Sequence, residues 1–192
     1  KRIFITNGVG GCGKDTFARF LNEMCPGVFK YSSIDRVKHI AYECGWCGAK
    51  SEKDRKFLSD LKVLLTDYSD LPFEDVTRRV EEFRSDDSYR IMLIDIREPD
   101  EIERAKIAFD AETILIVNDR VPAIESNMAD ANVYNYEYDN GNGVVPINGD
   151  VNYCMSLLAH YWDVDPATFK VTGDFSVLGY AYEADDKINR GD

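Results

Sequence analysis

The stretch Gly8-Val9-Gly10-Gly11-Cys12-Gly13-Lys14-Asp15-Thr16 decides how this chain is expected to fold. A β-rich run, Arg2–Thr6, precedes it, and residues 16–24 follow it with apolar side chains at helical spacing. The spacing from Gly8 to Gly13-Lys14 is that of a Walker A motif, and it stands here between a strand and a helix. The stretch therefore predicts a phosphate-binding loop. The alternative is a glycine-rich turn that only connects the two elements.

The residues of this loop suit a nucleoside triphosphate. Glycines let backbone N–H groups approach phosphate oxygens closely, and the helix N-terminus adds its positive dipole end. Lys14 would bring a positive charge to the β and γ phosphates. We expect ATP to be bound by Gly8, Gly10, Gly11, Cys12, Gly13, Lys14, Asp15 and Thr16.

A magnesium site is predicted from two acidic residues and a hydroxyl. Asp15 stands where a serine or threonine usually follows the lysine, and Thr16 comes one residue later. Asp95 follows the apolar run Ile91–Ile94, as a Walker B aspartate follows its strand. Carboxylate and hydroxyl oxygens are ligands that Mg²⁺ prefers, so we expect Asp15, Thr16 and Asp95 to hold it directly or through water. For Asp95 a helix N-cap is the alternative.

Arg97 is the candidate for binding a second, phosphorylated substrate, which is called the acceptor below. It lies two residues past Asp95, and ligands of open α/β sheets bind at the carboxyl ends of the strands. A guanidinium there can hold a monophosphate through two parallel hydrogen bonds. The alternative is a surface ion pair with Asp100 or Glu101.

Three further charged residues have weaker signals. Asp35 would accept hydrogen bonds from a base or sugar, and Lys38 would meet phosphate one turn later; a solvated helix face is the alternative for both. Arg120 follows the fourth predicted strand and could reach the triphosphate, or it could be an exposed loop charge. The predicted catalytic set is Lys14, Asp95, Arg97 and Arg120.

The rest of the chain alternates strand-like and helix-like patterns, which is typical of a parallel sheet covered on both faces. Further strands are predicted at 28–32, 91–94, 113–117 and 133–138, and helices at 16–24, 34–44, 51–68, from Pro72, 99–109 and 150–162. We expect a three-layer α/β P-loop NTPase fold with a five-stranded parallel sheet in the order 2-3-1-4-5.

Two of these helices have distinct local signals. The segment 51–68 begins with a candidate capping box, Ser51 to Asp54, and its apolar residues Phe57, Leu61, Leu64 and Leu65 predict an amphipathic helix. Pro72 suits the first turn of the next helix. That helix is expected to direct Phe73, Val76, Val80 and Phe83 inward.

Composition limits the partners. The 192 residues have a formal net charge of −12, which argues against binding to a long nucleic acid. No apolar run approaches the ~20 residues of a membrane span, and the first residues show no signal-peptide pattern. We expect a cytoplasmic protein with no membrane partner, and a homodimer is left open.

The cysteines point to no disulfide framework. There are five of them, an odd number with irregular spacing. Cys44-Gly-Trp-Cys47 lies in a helical pattern, 36–47, so we expect reduced thiols rather than a redox pair or half of a zinc site.

The Gly13-Lys14-Asp15-Thr16 variant resembles the deoxynucleoside monophosphate kinases of phages and bacteria. The stretches Tyr31–Lys38 and Leu93–Glu101 are similar to that family's Ser-Phe-Ala-Asp-x-x-Lys and Asp-Val-Arg-Phe-Pro-Asn-Glu segments, in the same order. The resemblance runs loosely from Arg2 to about Leu158. It implies transfer of the ATP γ-phosphoryl group to a nucleoside monophosphate, with Mg²⁺ bridging the phosphates.

The resemblance also implies a division of the chain. A kinase-like domain would span 1–162, with acceptor-side helices at 34–86 and a lid at 120–132, and residues 163–192 would form an extension of unknown role. Two other functions are alternatives. One is a small-metabolite kinase acting on phosphomevalonate or dephospho-coenzyme A, since phosphomevalonate kinase has a similar Gly-Lys-Asp. The other is a nucleotide-binding regulator, favoured because the loop after Arg120 has no second arginine.

Overall fold

A computed structural model describes residues 1–24, 26–118, 121 and 133–139 of the chain. Four expectations lie outside these residues: Arg120, the lid 120–132 apart from Val121, the helix 150–162 and the extension 163–192. Cys25 and Cys154 also lie outside them.

Strands and helices follow one another along the described chain, with three successive helices between the second and third strands. In order they are β1 (Arg2–Asn7), α1 (Lys14–Met24), β2 (Val28–Ser32), α2 (Asp35–Glu43), α3 (Glu52–Ser69), α4 (Leu71–Ser85), β3 (Ile91–Asp95), α5 (Pro99–Phe109), β4 (Glu112–Val117) and β5 (Tyr136–Asp139). The predicted bounds of β2 and α5 are confirmed, and the other predicted elements that fall within the described residues agree to within a few residues.

The strands form one parallel sheet. Four of them lie in the order β2-β3-β1-β4, an arrangement compatible with a P-loop-like fold, and β5 pairs in parallel with the outer side of β4. The register places Asp95 beside both Thr6 and Ser32, and Asn7 beside Leu115. The carboxyl ends of β1, β2 and β3 therefore meet at one edge of the sheet, where the phosphate loop, residues 8–16, leaves β1.

The centre of the sheet is buried on both faces. Three successive residues of β1, Ile3–Ile5, and four of β3, Ile91–Ile94, are all buried, although neighbouring side chains of a strand point to opposite faces. Helices α4 and α5 pack on one face, where Phe73 stacks on Phe109 with ring centroids 5.4 Å apart. The four residues of α4 that were predicted to point inward are buried, which confirms that prediction.

Helix α3 has the expected start and packs mainly against other helices. Its capping box is confirmed, because the Asp54 N–H donates to Ser51 Oγ at 3.2 Å and the Ser51 N–H donates to an Asp54 carboxylate oxygen at 3.1 Å. It packs mainly against α2 and α4, and Leu61 and Leu65 on its inner side are half-buried. None of its side chains is fully buried, and Leu64 is 64% exposed.

The CxxC pair lies after a helix and not within one. Helix α2 ends at Glu43, and Gly45 at φ +91° takes a left-handed conformation that ends the helical pattern before residue 47. Cys44 and Cys47 are both exposed free thiols. Among the described residues, no helix has the length and apolar character needed to cross a membrane.

Candidate active site

The phosphate loop closes tightly against β4. Gly8 has φ +151°, and a Cβ at this position would lie 2.3 Å from the carbonyl oxygen of Ile116 and 2.6 Å from Cys12 Sγ. Cys12 is buried, and its N–H donates to the carbonyl of Val9 at 3.2 Å. A glycine is therefore required at position 8 by the packing of the loop against β4 and Cys12.

Lys14 lies over this loop, in the first turn of α1. Its ammonium donates to the carbonyl of Gly8 at 2.8 Å and to that of Val9 at 3.3 Å. A helix N-terminus carries unpaired N–H groups and the positive dipole end. The loop therefore joins a positive side chain to the helix end where an anion binds most readily.

Asp95 is held at the carboxyl end of β3 by two donors. The Thr6 hydroxyl donates to one carboxylate oxygen, and Lys30 Nζ lies 3.1 Å from the other. The N-cap residue of α5 is Glu98, so the alternative interpretation of Asp95 as a helix N-cap is wrong. Its carboxylate faces the phosphate-loop side of the sheet edge, where its partners come from β1 and β2.

Asp15 contacts the same ammonium group as Asp95, that of Lys30. Lys30 Nζ also donates a hydrogen bond to Asp15, so one ammonium bridges both carboxylates that were predicted to hold magnesium. The hydrogen bond from Lys30 lowers the pKa of Asp15. Burial opposes the charge of Lys30, but its hydrogen bond to Asp15 and the charge of Asp95 together raise the pKa of this lysine.

The donor set fits a magnesium ion that is shared with a triphosphate. Two carboxylates converge on one positive charge, and Thr16 lies half-buried next to Asp15. Within the described residues, no group of three or more His, Cys, Asp or Glu side chains could hold a metal by itself. The remaining ligands of a hard, six-coordinate cation would be phosphate oxygens and water.

Arg97 is exposed beyond the end of β3. In the described part of the chain its guanidinium has no carboxylate partner, and the predicted alternative, an ion pair with Asp100 or Glu101, is wrong. Glu101 instead pairs with Lys62 of α3 at 2.7 Å. Lys62 also binds Glu98 at 2.6 Å.

Asp35 and Lys38 bind each other at the start of α2. Lys38 Nζ lies 3.0 Å from one oxygen of Asp35, and the N–H of Ser32 donates to the other at 3.1 Å. Both side chains are 40% exposed, and each keeps unused donors or lone pairs that a ligand could contact beside this pair.

A second polar cluster joins β2 to α4. The Tyr31 hydroxyl donates to the buried Asp75, which also accepts from Arg78, and the guanidinium of Arg79 lies 5.2 Å from the centre of the Tyr31 ring. Burial, followed by the hydrogen bond to Asp75, raises the pKa of Tyr31 to about 12. This cluster therefore holds α4 against β2.

Three residues of the site were not predicted from the sequence: Lys30, Thr6 and Asn7. Asn7 is buried; its side-chain oxygen accepts from the N–H of Gly8 at 2.7 Å and its amide donates to the Tyr134 hydroxyl at 2.7 Å. Polar residues at the end of an otherwise apolar strand were the available signal for Thr6 and Asn7. For Lys30 the signal was a lysine inside the apolar strand Val28–Ser32.

Comparison of the chain with protein-family models and with curated proteins finds no match in either set. The class of protein therefore rests on the geometry of the site.

Proposed function

We propose that this chain is a P-loop phosphotransferase whose complete fold is the three-layer P-loop NTPase fold with a five-stranded sheet. The observation that carries the proposal is the convergence of Asp15 and Asp95 on one cation beside the phosphate loop. A glycine-rich connecting turn needs neither a lysine over its carbonyls nor a second carboxylate from another strand. A triphosphate-binding loop uses both.

ATP would lie with its β and γ phosphates over the loop. The backbone N–H groups of the loop would bind phosphate oxygens, and Lys14 would exchange its carbonyl contacts for phosphate contacts. Magnesium, held through Asp15, Thr16 and Asp95, would neutralise negative charge on the phosphates. The protein would contribute positioning and fixed positive charge, which supply most of the rate in phosphoryl transfer.

The acceptor is proposed to be a nucleoside monophosphate. Arg97 supports this proposal because it is exposed at the carboxyl edge of the sheet and, within the described residues, no carboxylate competes for it. A guanidinium in that position is suited to a phosphate dianion. Asp35 and Lys38 would contact the base, sugar or phosphate through the donors and lone pairs that their mutual pair leaves free.

Two alternatives have different consequences. A kinase of phosphomevalonate or dephospho-coenzyme A would use the same loop and Arg97 with another acceptor. A regulator would bind ATP and transfer nothing, and the lack of a second arginine in the sequence 121–132 favours it.

A coupled assay of ADP release separates the three functions. ATP and Mg²⁺ are supplied with dGMP, dTMP or dCMP, and with phosphomevalonate and dephospho-coenzyme A as controls. We expect acceptor-dependent release with at least one nucleotide and background release from Lys14→Ala. Turnover with a control acceptor alone would support the metabolite kinase, and ATP binding without any turnover would support the regulator.

A further inference from the structure

Lys30 is the charged residue at the site to which the proposed reaction assigns no role. Its ammonium lies 3.1 Å from an oxygen of Asp95 and donates a hydrogen bond to Asp15. The Lys30 side chain is 28% exposed and that of Asp95 only 16%. Lys30 comes from β2, while its partners come from β3 and from the loop end of α1.

The contacts of Lys30 with Asp15 and Asp95 reduce the negative charge that a free cation would encounter between these carboxylates. Asp15 and Asp95 without Lys30 would be two adjacent negative charges with oxygen ligands, an attractive site for a divalent ion. Lys30 cancels one of those charges and occupies the position between the two carboxylates. A hard cation needs the same oxygens, so binding of a free divalent ion competes directly with the ammonium.

A triphosphate changes the balance of this competition. Phosphate oxygens over the loop would add negative charge and further ligands for a metal, and they would also give the Lys30 ammonium a new partner. The metal would then replace Lys30 at the carboxylates when it arrives with the nucleotide, while Lys30 moves to phosphate or water.

We propose that Lys30 is a resident counter-ion that keeps free divalent cations away from Asp15 and Asp95 until a triphosphate binds. The inference rests on the proposed nucleotide site and adds a residue that selects the metal–nucleotide complex over the free metal. Lys14 and Lys38 also act on Asp15 by their charges, but Lys14 donates to loop carbonyls and Lys38 pairs with Asp35. Among these three lysines, the bridge between Asp15 and Asp95 is made by Lys30.

The test measures Mn²⁺ binding to the full chain without nucleotide, by electron paramagnetic resonance of the free ion. A single neighbouring charge alters the proton affinity of a carboxylate by about ten- to a thousandfold, so Lys30→Met should bind Mn²⁺ at least about tenfold more tightly than the unmodified protein. Lys30→Arg should stay weak, because it keeps the charge. Lys38→Met is the matched control: it removes a nearby charge but no contact with Asp95, and it should change little.

Two further variants locate the effect. Lys30→Gln repeats the neutralisation with a polar side chain, and thermal melts identify any variant that does not fold. In Lys30→Met/Asp95→Asn the gained affinity should disappear. Equal Mn²⁺ affinity in the unmodified protein and both neutral variants would overturn the inference, as would a gain that survives Asp95→Asn or appears equally in Lys38→Met. Because no nucleotide is present, these outcomes are independent of the ADP-release assay, whose failure alone would count against the proposed function.

Discussion

The phosphate loop, residues 8–16, and helix α3, residues 52–69, differ in what determines their structure. The loop packs its backbone against β4, and its lysine binds carbonyls of the loop itself. Helix α3 is capped at its start but buries no side chain, and Phe57, Val63, Leu64 and Tyr68 are exposed along it. Local spacing is therefore enough to predict the loop, although its packing against β4 is long-range, whereas an apolar stripe predicts a helix without predicting what covers it.

The largest effect on stability is expected from a substitution in the phosphate loop. Gly8→Ala places a methyl group within 2.3 Å of a backbone oxygen at a positive φ, so it should lower the free energy of unfolding by about 3 kcal/mol or more. Gly10→Ala is the matched control, since its methyl would meet nothing within 4 Å, and it should cost about 1 kcal/mol or less. Urea unfolding measures both. Equal costs for the two variants would mean that the loop is not packed as described.

Substitution of Arg97 tests whether the acceptor binds at the edge of the sheet next to the phosphate loop. A bidentate guanidinium–phosphate contact is worth about 1.5–3 kcal/mol, so Arg97→Ala should raise the KM for the acceptor by about tenfold or more and leave that for ATP nearly unchanged. Arg97→Lys should recover little, because an ammonium cannot make the two parallel hydrogen bonds. Steady-state kinetics with each substrate varied would decide, and a change confined to ATP would remove Arg97 from the acceptor site.

The sequence was most informative where one element accounts for the structure. The bounds of β2 and α5, the inward residues of α4 and the capping box of α3 all follow from periodicity or from residues within one turn. Lys30 was missed because its role depends on Asp95, which the pairing of β2 with β3 brings near it, and on Asp15, which comes from α1. The pairing of Glu98 and Glu101 likewise depends on Lys62, which comes from another helix.

The contact between β2 and α4 at Tyr31 should make the stability of the protein depend on alkaline pH. The folded protein holds the Tyr31 proton more tightly than the unfolded chain, in which a tyrosine has a pKa of about 10. Its contribution to stability is therefore complete below about pH 10 and is lost as the pH rises through the folded pKa of about 12. Unfolding in urea across this range should show a decrease that Tyr31→Phe lessens and that Tyr68→Phe, at an exposed position, does not. Identical pH profiles for all three proteins would contradict the assigned environment of Tyr31.

The smallest effect on stability is expected from a substitution on α3. Phe57 is 36% exposed and Phe83 of α4 is 1% exposed, so the same substitution compares the two helices. Phe57→Ala should lower the free energy of unfolding by about 1 kcal/mol or less, and Phe83→Ala by about 3–5 kcal/mol. Denaturant midpoints would show the difference. Similar losses would mean that α3 is packed as tightly as α4.

Triphosphate binding by the phosphate loop is the central prediction. Calorimetric titration of Mg²⁺–ATP into the unmodified protein and into Lys14→Ala tests this binding most directly. Loss of one charge-assisted phosphate contact should weaken binding by about ten- to a hundredfold, with the melting curve nearly unchanged. Lys56→Ala removes the same charge from an exposed position on α3 and should bind as the unmodified protein does. Equal affinity of all three proteins for Mg²⁺–ATP, or no binding by any of them, would contradict the assignment of residues 8–16 as a triphosphate site.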